Sequence, residues 1–258
     1  MNLGPGKSRN MGMHKSRGKY IAFLDSDDEW LENHLQESVN VLEKEKAFVS
    51  FAFWYEKNEK GEITKIYEQE LLNHAVENQK PIVGDNYFKF NDRFFEYAIT
   101  HSFYCYHINT LVFRKSAIES VGMFNDKLRT SEDIDFSLRL IDEYGFCLIN
   151  NFHFIYCRGN DNLYWFIERK QIDIQEVLKS PILIEKLSFC NTYKCEMLKL
   201  RKKYIRNSNK IQNKLACIKE CNKKISRKYY AVAFLNKQND LVKSIYSSLK
   251  SLIYDLIQ

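Results

Sequence analysis

The side chains best suited to chemistry sit in one short run, Asp25-Ser26-Asp27-Asp28. Three carboxylates within four residues repel one another and lose hydration beside a core. A divalent cation relieves both costs by offering charge and a preference for oxygen ligands. The run follows Ile21-Ala22-Phe23-Leu24, which reads as a short buried strand opening into a polar site. Strand side chains alternate, so a continuing strand puts Asp25 and Asp27 on one side, toward one ion. The competing reading is a solvated helix start, with Asp28 as N-terminal cap of a helix over 29–46. Capping explains one acid well but not three.

The elements around this run follow from pattern and punctuation. Upstream, Ser8 to Ser16 reads as a helix behind a Gly-Pro-Gly turn. Downstream, residues 29–46 read as a helix and 47–55 (AFVSFAFWY) as an apolar strand, with a turn at 58–61. Residues 86–106 are rich in aromatics and fit neither period. Residues 110–114 read as a strand, 115–121 as a short helix, 131–144 as a helix and 146–150 as a strand. Four of the nine glycines fall in the first 18 residues and none follows Gly159, so tight backbone is concentrated early. From about Gln171 the chain reads as helices. In the last of them Leu241, Ile245, Leu249, Leu252 and Leu256 form one stripe.

The 258 residues suit one or two domains with a sizeable core. No apolar run is long enough for a membrane-spanning helix, and the first residues lack the apolar core of a secretory signal. A cytoplasmic location is expected. The net charge of +6 is uneven: residues 199–228 hold twelve Lys/Arg against Glu220 alone, so the remainder is acidic. With apolar residues at near-helical spacing, that segment reads as a contact for an anionic membrane or a partner, or as a solvated helix face. A nucleic-acid partner is not expected, since the segment carries no recognised motif. Cys190, Cys195, Cys217 and Cys221 have poor spacing for a zinc knuckle and read as ordinary thiols.

Two blocks carry a family resemblance. The stretch from Gly4 to Leu35 resembles family-two glycosyltransferases of the GT-A fold in Gly6, Arg9, Asn10, Gly12, Gly18, Tyr20, Asp25, Asp27 and Asp28. The stretch from Asn109 to Leu140 resembles the family's downstream pattern in Val121, Gly122, Phe124, Glu132, Asp133 and Arg139. A haloacid-dehalogenase-like phosphatase would also end a strand in Asp-x-Asp, but Asp28-Glu29-Trp30 does not continue that motif.

The resemblance implies a partial GT-A domain over 1–168, with a mixed α/β sheet lacking its first strands. A helical region over 169–258 follows. Family members carry further strands ahead of the Gly-x-Gly segment, one of them with an Asp-Asp-Gly-Ser-like nucleotide-base site. The chain therefore reads as an N-terminally truncated transferase whose Asp-x-Asp strand has a bare edge. The implied activity is sugar transfer, inverting, from a UDP-linked donor to a polysaccharide or lipid-linked glycan at the inner face of the cell membrane. The alternative is an inactive fragment acting as a membrane- or partner-binding helical module. By the same resemblance Mg²⁺ or Mn²⁺ is held by Asp27, with Asp25 and Asp28. Arg9 and Asn10 join Asp25 and Asp27 in donor binding. Asp133 is the base, with Glu132 beside it. His153, Asp161 and His107 are candidates for a third metal ligand. Tyr104, Tyr106, Tyr164 and Trp165 are candidates for stacking on sugar rings.

Overall fold

The computed structural model describes residues 4–58, 60–66, 69–101, 103–128, 130–157, 174–237 and 241–256. The chain divides into two compact units, Met1–Gly159 and Asn160–Gln258.

In the first unit, helix α1 (Pro5–Lys15) begins with Pro5, whose fixed φ suits a first turn, behind Gly4 at φ 81°. There follow β1 (Tyr20–Ala22), β2 (Glu29–Trp30), α2 (His34–Lys44), β3 (Val49–Lys57), β4 (Ile63–Ile66), α3 (Gln69–Gln79), β5 (Ile82–Val83), β6 (Tyr87–Phe90), α4 (Phe94–His101), β7 (Val112–Arg114), α5 (Ile118–Val121), α6 (Glu132–Tyr144) and β8 (Phe146–Cys157). The strands form one mixed sheet in the order β1-β7-β3-β8-β6-β5, with β2 added to β8 and β4 to β3. Its central pair, β3 and β8, is parallel, and β3 is buried over most of its length. That suits its aromatic and β-branched composition.

Three expectations are corrected. The strand read over 21–24 ends at Ala22, and the acids lie in a turn closed by Asp28 N–H donating to Asp25 O at 3.1 Å. Strand alternation therefore does not orient Asp25 and Asp27. The strand is buried only at Ile21, and Leu24 beyond it is 44% exposed. β1 lies at the end of the sheet, paired among the described residues with β7, which is the bare edge expected for it. The helix read over 29–46 begins at His34, because Glu29 and Trp30 pair with Ile155 and Phe154 of β8. Asp28 therefore caps no helix.

The unassigned aromatic stretch is core. Phe90, Phe94 and Phe146 pack with ring centroids 4.7–5.2 Å apart, and each is at most 2% exposed. Burial on that scale is worth about 2 kcal/mol per ring, which leaves few of these side chains for sugar stacking. Tyr106 is buried with them, while Tyr104 is 38% exposed against Trp54. Tyr164 and Trp165 lie outside the described residues.

The second unit contains α7 (Ile174–Lys179), α8 (Pro181–Asn207), α9 (Lys214–Asn236) and α10 (Leu241–Leu256). Ser180 caps α8, accepting from Leu183 N–H, and Asn213 caps α9, accepting from Ala216 N–H. Among the described residues no helix is long and apolar enough to cross a membrane. Cys190, Cys195, Cys217 and Cys221 are buried and in no disulfide among the described residues. No group of three or more His, Cys, Asp or Glu able to hold a metal occurs among the described residues.

Candidate active site

The two sequence blocks meet at Arg9, on α1. Its Nη2 donates to Asp25 Oδ1 and its Nη1 to Glu132 Oε1, both at 2.7 Å. The guanidinium fork matches two carboxylates at once, which an ammonium cannot do with the same geometry. Burial acts to lower the Arg9 pKa, but Asp25, Glu132 and Asp133 outweigh it and raise the pKa. Asn10, one residue on, closes a second link between the blocks. Its Nδ2 donates to Phe124 O and its Oδ1 accepts from Phe124 N–H, both at 2.9 Å. The amide expected to meet a donor is thus engaged on backbone, and Asn10 clamps α1 to the loop before α6. Gly6, one turn earlier on α1, lies against Glu132 and Phe124, where a Cβ would make ordinary contacts at 3.4 to 3.7 Å.

The carboxylates differ in environment. Asp27 is exposed and takes part in no hydrogen bond among the described residues. Asp25 is half-buried beside Arg9. Asp28 turns inward, where its Oδ1 accepts from Cys157 N–H at 2.7 Å and its Oδ2 from Asn109 Nδ2 at 2.5 Å. Burial pushes its carboxyl up to about 7. Both oxygens are engaged, so Asp28 latches the acidic turn to the end of β8 and faces away from solvent.

At the other motif, Glu132 is buried on Arg9, while Asp133 is partly exposed and its Oδ1 accepts from Ile134 N–H at 2.8 Å. Burial raises both carboxyls, each against the pull of Arg9. Ser131 does not cap the helix. It sits at φ 60°, a left-handed conformation costly for serine, and its buried Oγ has no partner. The neighbouring Thr130 Oγ1 is likewise buried without a partner.

Asn109 was not anticipated from the sequence. It is fully buried, and its polar groups serve the acidic turn. Oδ1 accepts from Asp25 N–H at 3.2 Å, Nδ2 donates to Asp28, and its carbonyl accepts from Trp30 Nε1 at 2.9 Å. A lone amide directly before the strand TLVFR was the available signal.

Of the candidate third ligands, His107 lies near the turn. Its Nδ1 accepts from Asn109 N–H, and burial lowers its pKa to about 4, with Asp25 opposing. His153 lies elsewhere. It is buried against α2, with Nε2 facing Glu37 Oε2 and Nδ1 facing His34 Nδ1, each at 3.1 Å. Asp161 lies outside the described residues. A groove of about 530 Å³ runs between α1 and β1, with Ser8, Arg9, Asp25 and Ser26 along it.

The chain resembles known proteins. The family profile described as Glycosyl transferase family 2 matches residues 1–122. An uncharacterized glycosyltransferase of Methanocaldococcus jannaschii is 31% identical over 193 residues, covering 74% of this chain. The chain spans 59% of that relative's length. An Escherichia coli UDP-Glc:alpha-D-GlcNAc-diphosphoundecaprenol beta-1,3-glucosyltransferase is 38% identical over 52 residues, 20% of this chain and 21% of that protein. The solved structure of Staphylococcus aureus TarS 1-349 with UDP-GlcNAc aligns at 13% identity with a TM-score of 0.47, covering 99% of this chain and 73% of that one. With both motif blocks joined through Arg9 in a mixed α/β sheet, the chain belongs to glycosyl transferase family 2.

Proposed function

We propose that this chain moves a sugar from a nucleoside-diphosphate donor, UDP-linked, to a glycan or lipid-linked acceptor. The observation that carries the reading is the Arg9 bridge, which holds Asp25 of the donor motif and Glu132 of the acceptor motif on one guanidinium. The E. coli relative, whose name specifies UDP-glucose and a diphosphoundecaprenol-linked acceptor, supports those substrate classes.

In this reading the donor diphosphate enters the groove beside Arg9 and Asp25. Asp133 takes the acceptor hydroxyl proton as the new glycosidic bond forms and the bond to the diphosphate oxygen breaks, in one inverting displacement. A carboxyl raised by burial is a stronger base than one in water, and Glu132, fixed on Arg9, keeps the helix start in place. Asp27, with its unengaged carboxylate, and Asp25 suit Mg²⁺ or Mn²⁺. Two protein carboxylates are few, but such ions take the rest of their ligands from substrate phosphates and water. Bound there, the ion would supply positive charge for the leaving diphosphate. A lipid-linked acceptor would bring the chain to the inner face of the cell membrane.

Calorimetric titration of the chain with UDP and Mn²⁺ tests the reading. Heat is expected for the intact chain and none for Asp27→Ala. Asp133→Asn should keep the binding heat and lose sugar transfer. No heat with the intact chain, or equal heat for Asp27→Ala, refutes the donor site.

A further inference from the structure

Among its described side chains, the last helix is arranged inside out. α10 turns Ser244, Ser247 and Ser251 into the helical unit, all buried. Ser251 Oγ meets Ser226 Oγ of α9 at 3.1 Å, and Ser244 Oγ donates to Ala233 O at 2.9 Å. Outward stand Tyr246, Leu249, Leu252 and Ile253, each 54–58% exposed. Leu249 and Leu252 belong to the stripe that periodicity picks out. A surface helix ordinarily buries leucine and exposes serine, so this face calls for a cover.

α9 supplies the chemistry beside it. Ser226 and Ala233 bond α10, and Tyr229 stacks on its Tyr254 at 6.0 Å. The next residue round from each, Arg227, Phe234 and Tyr230, is exposed, so this row flanks the seam with α10. Lys219 and Lys223 continue it at four-residue spacing, also exposed. Lys223 also faces Glu220 at 3.9 Å, and two other cations of 199–228 are engaged within the unit. Lys202 is buried on Asn222, and Lys199 holds Glu196 and Tyr229.

We propose that the outward face of α10, with the flanking Lys219–Lys223–Arg227 row, docks this chain on an anionic lipid surface. The helix lies in the plane of the interface, with its apolar side chains at the acyl boundary and the cations among the headgroups. Charge selects this occupant. Residues 160–258 hold 20 Lys/Arg against 9 Asp/Glu, and two copies meeting through this face would oppose like-charged rows. The inference is independent of sugar transfer, and donor titration reports on that activity separately.

The test is sedimentation of the full chain with vesicles of phosphatidylglycerol and phosphatidylcholine, and with phosphatidylcholine alone. Binding should favour the anionic vesicles by at least about tenfold and weaken with salt, since each interfacial cation is worth about fivefold. The variant Lys219→Gln/Lys223→Gln/Arg227→Gln should lose most of that preference. Leu249→Ser/Leu252→Ser/Ile253→Ser should bind about tenfold more weakly at unchanged helicity. Four outcomes overturn the proposal: no binding by the wild type, equal binding to neutral vesicles, an apolar variant that binds as well as the wild type, or a dimer in solution that the apolar variant dissociates.

Discussion

One side chain, Arg9, joins the two motif blocks of the chain. Asp25, Asp27, Asp133 and Arg9 stand out in the sequence because their types and order are a motif. What the motif hid is the division of labour. Arg9 bonds two carboxylates across 123 and 16 residues of sequence, Asn10 is a backbone clamp, and Asp28 faces inward. None of these pairings has a local signature, so spacing alone could not say which side chains are engaged inside the fold. Asn109 is the clearest case, a single buried amide on which the acidic turn depends. Asn109→Ala would remove Asp28's side-chain donor and the acceptor for Asp25 N–H. Leaving buried polar groups unpaired costs about 1–3 kcal/mol each. We expect Asn109→Ala to lower unfolding free energy by about 3 kcal/mol in urea titration. A loss below about 0.5 kcal/mol would show that the turn holds without it.

Elements were read well wherever periodicity was long. The buried residues His34, Ser38, Val41 and Leu42 of α2 follow a helical period, and the pairing of β2 with β8, which shortens the predicted helix, is a long-range event that no window along the chain contains. The same pairing positions the His34–His153 contact, which fastens α2 to β8. Two Nδ1 atoms 3.1 Å apart share a hydrogen bond only if one carries a proton and the other does not. Burial first, then His153, lowers His34 from 6.5 to about 3. The folded state therefore refuses a proton that the unfolded chain accepts. Stability is full above 6.5 and is lost as pH falls from 6.5 toward 3. At pH 5.5, one unit below the unfolded value, the loss is about 1.4 kcal/mol. Asp28, raised from 3.8 to about 7, binds its proton more readily when folded and contributes the opposite slope over much of that window. The clean measurement is therefore a difference. The stability of wild type minus that of His34→Gln, from urea unfolding at pH 7.5 and 5.5, should fall by about 1.4 kcal/mol on acidification. A constant difference would mean that His34 titrates normally in the folded chain.

At the scale of the whole molecule, net charge is the property that the sequence made most legible and the structure most useful. Residues 1–159 hold 19 Lys/Arg against 24 Asp/Glu, and residues 160–258 the opposite bias, so the division into two units is also a division of sign. What composition could not give is which helix face points out. Side-chain period fixes a stripe but not its neighbour, and α10 buries serines instead. Arg9, Asp25, Asp27, Glu132 and Asp133, the residues assigned to donor and acceptor, all lie in the first unit, and the lipid-facing row lies in the second. The two activities should separate on division of the chain. A fragment of residues 1–159 should bind UDP with Mn²⁺ within about threefold of the full chain, since no assigned donor contact is removed and a threefold change is under 1 kcal/mol. The same fragment should not sediment with phosphatidylglycerol vesicles, because its net charge of −5 is repelled by that surface. Calorimetry and vesicle sedimentation on the fragment and the full chain measure both. More than tenfold weaker UDP binding by a folded fragment would place donor contacts in the helical unit, and vesicle binding by the fragment would remove the lipid contact from α9 and α10.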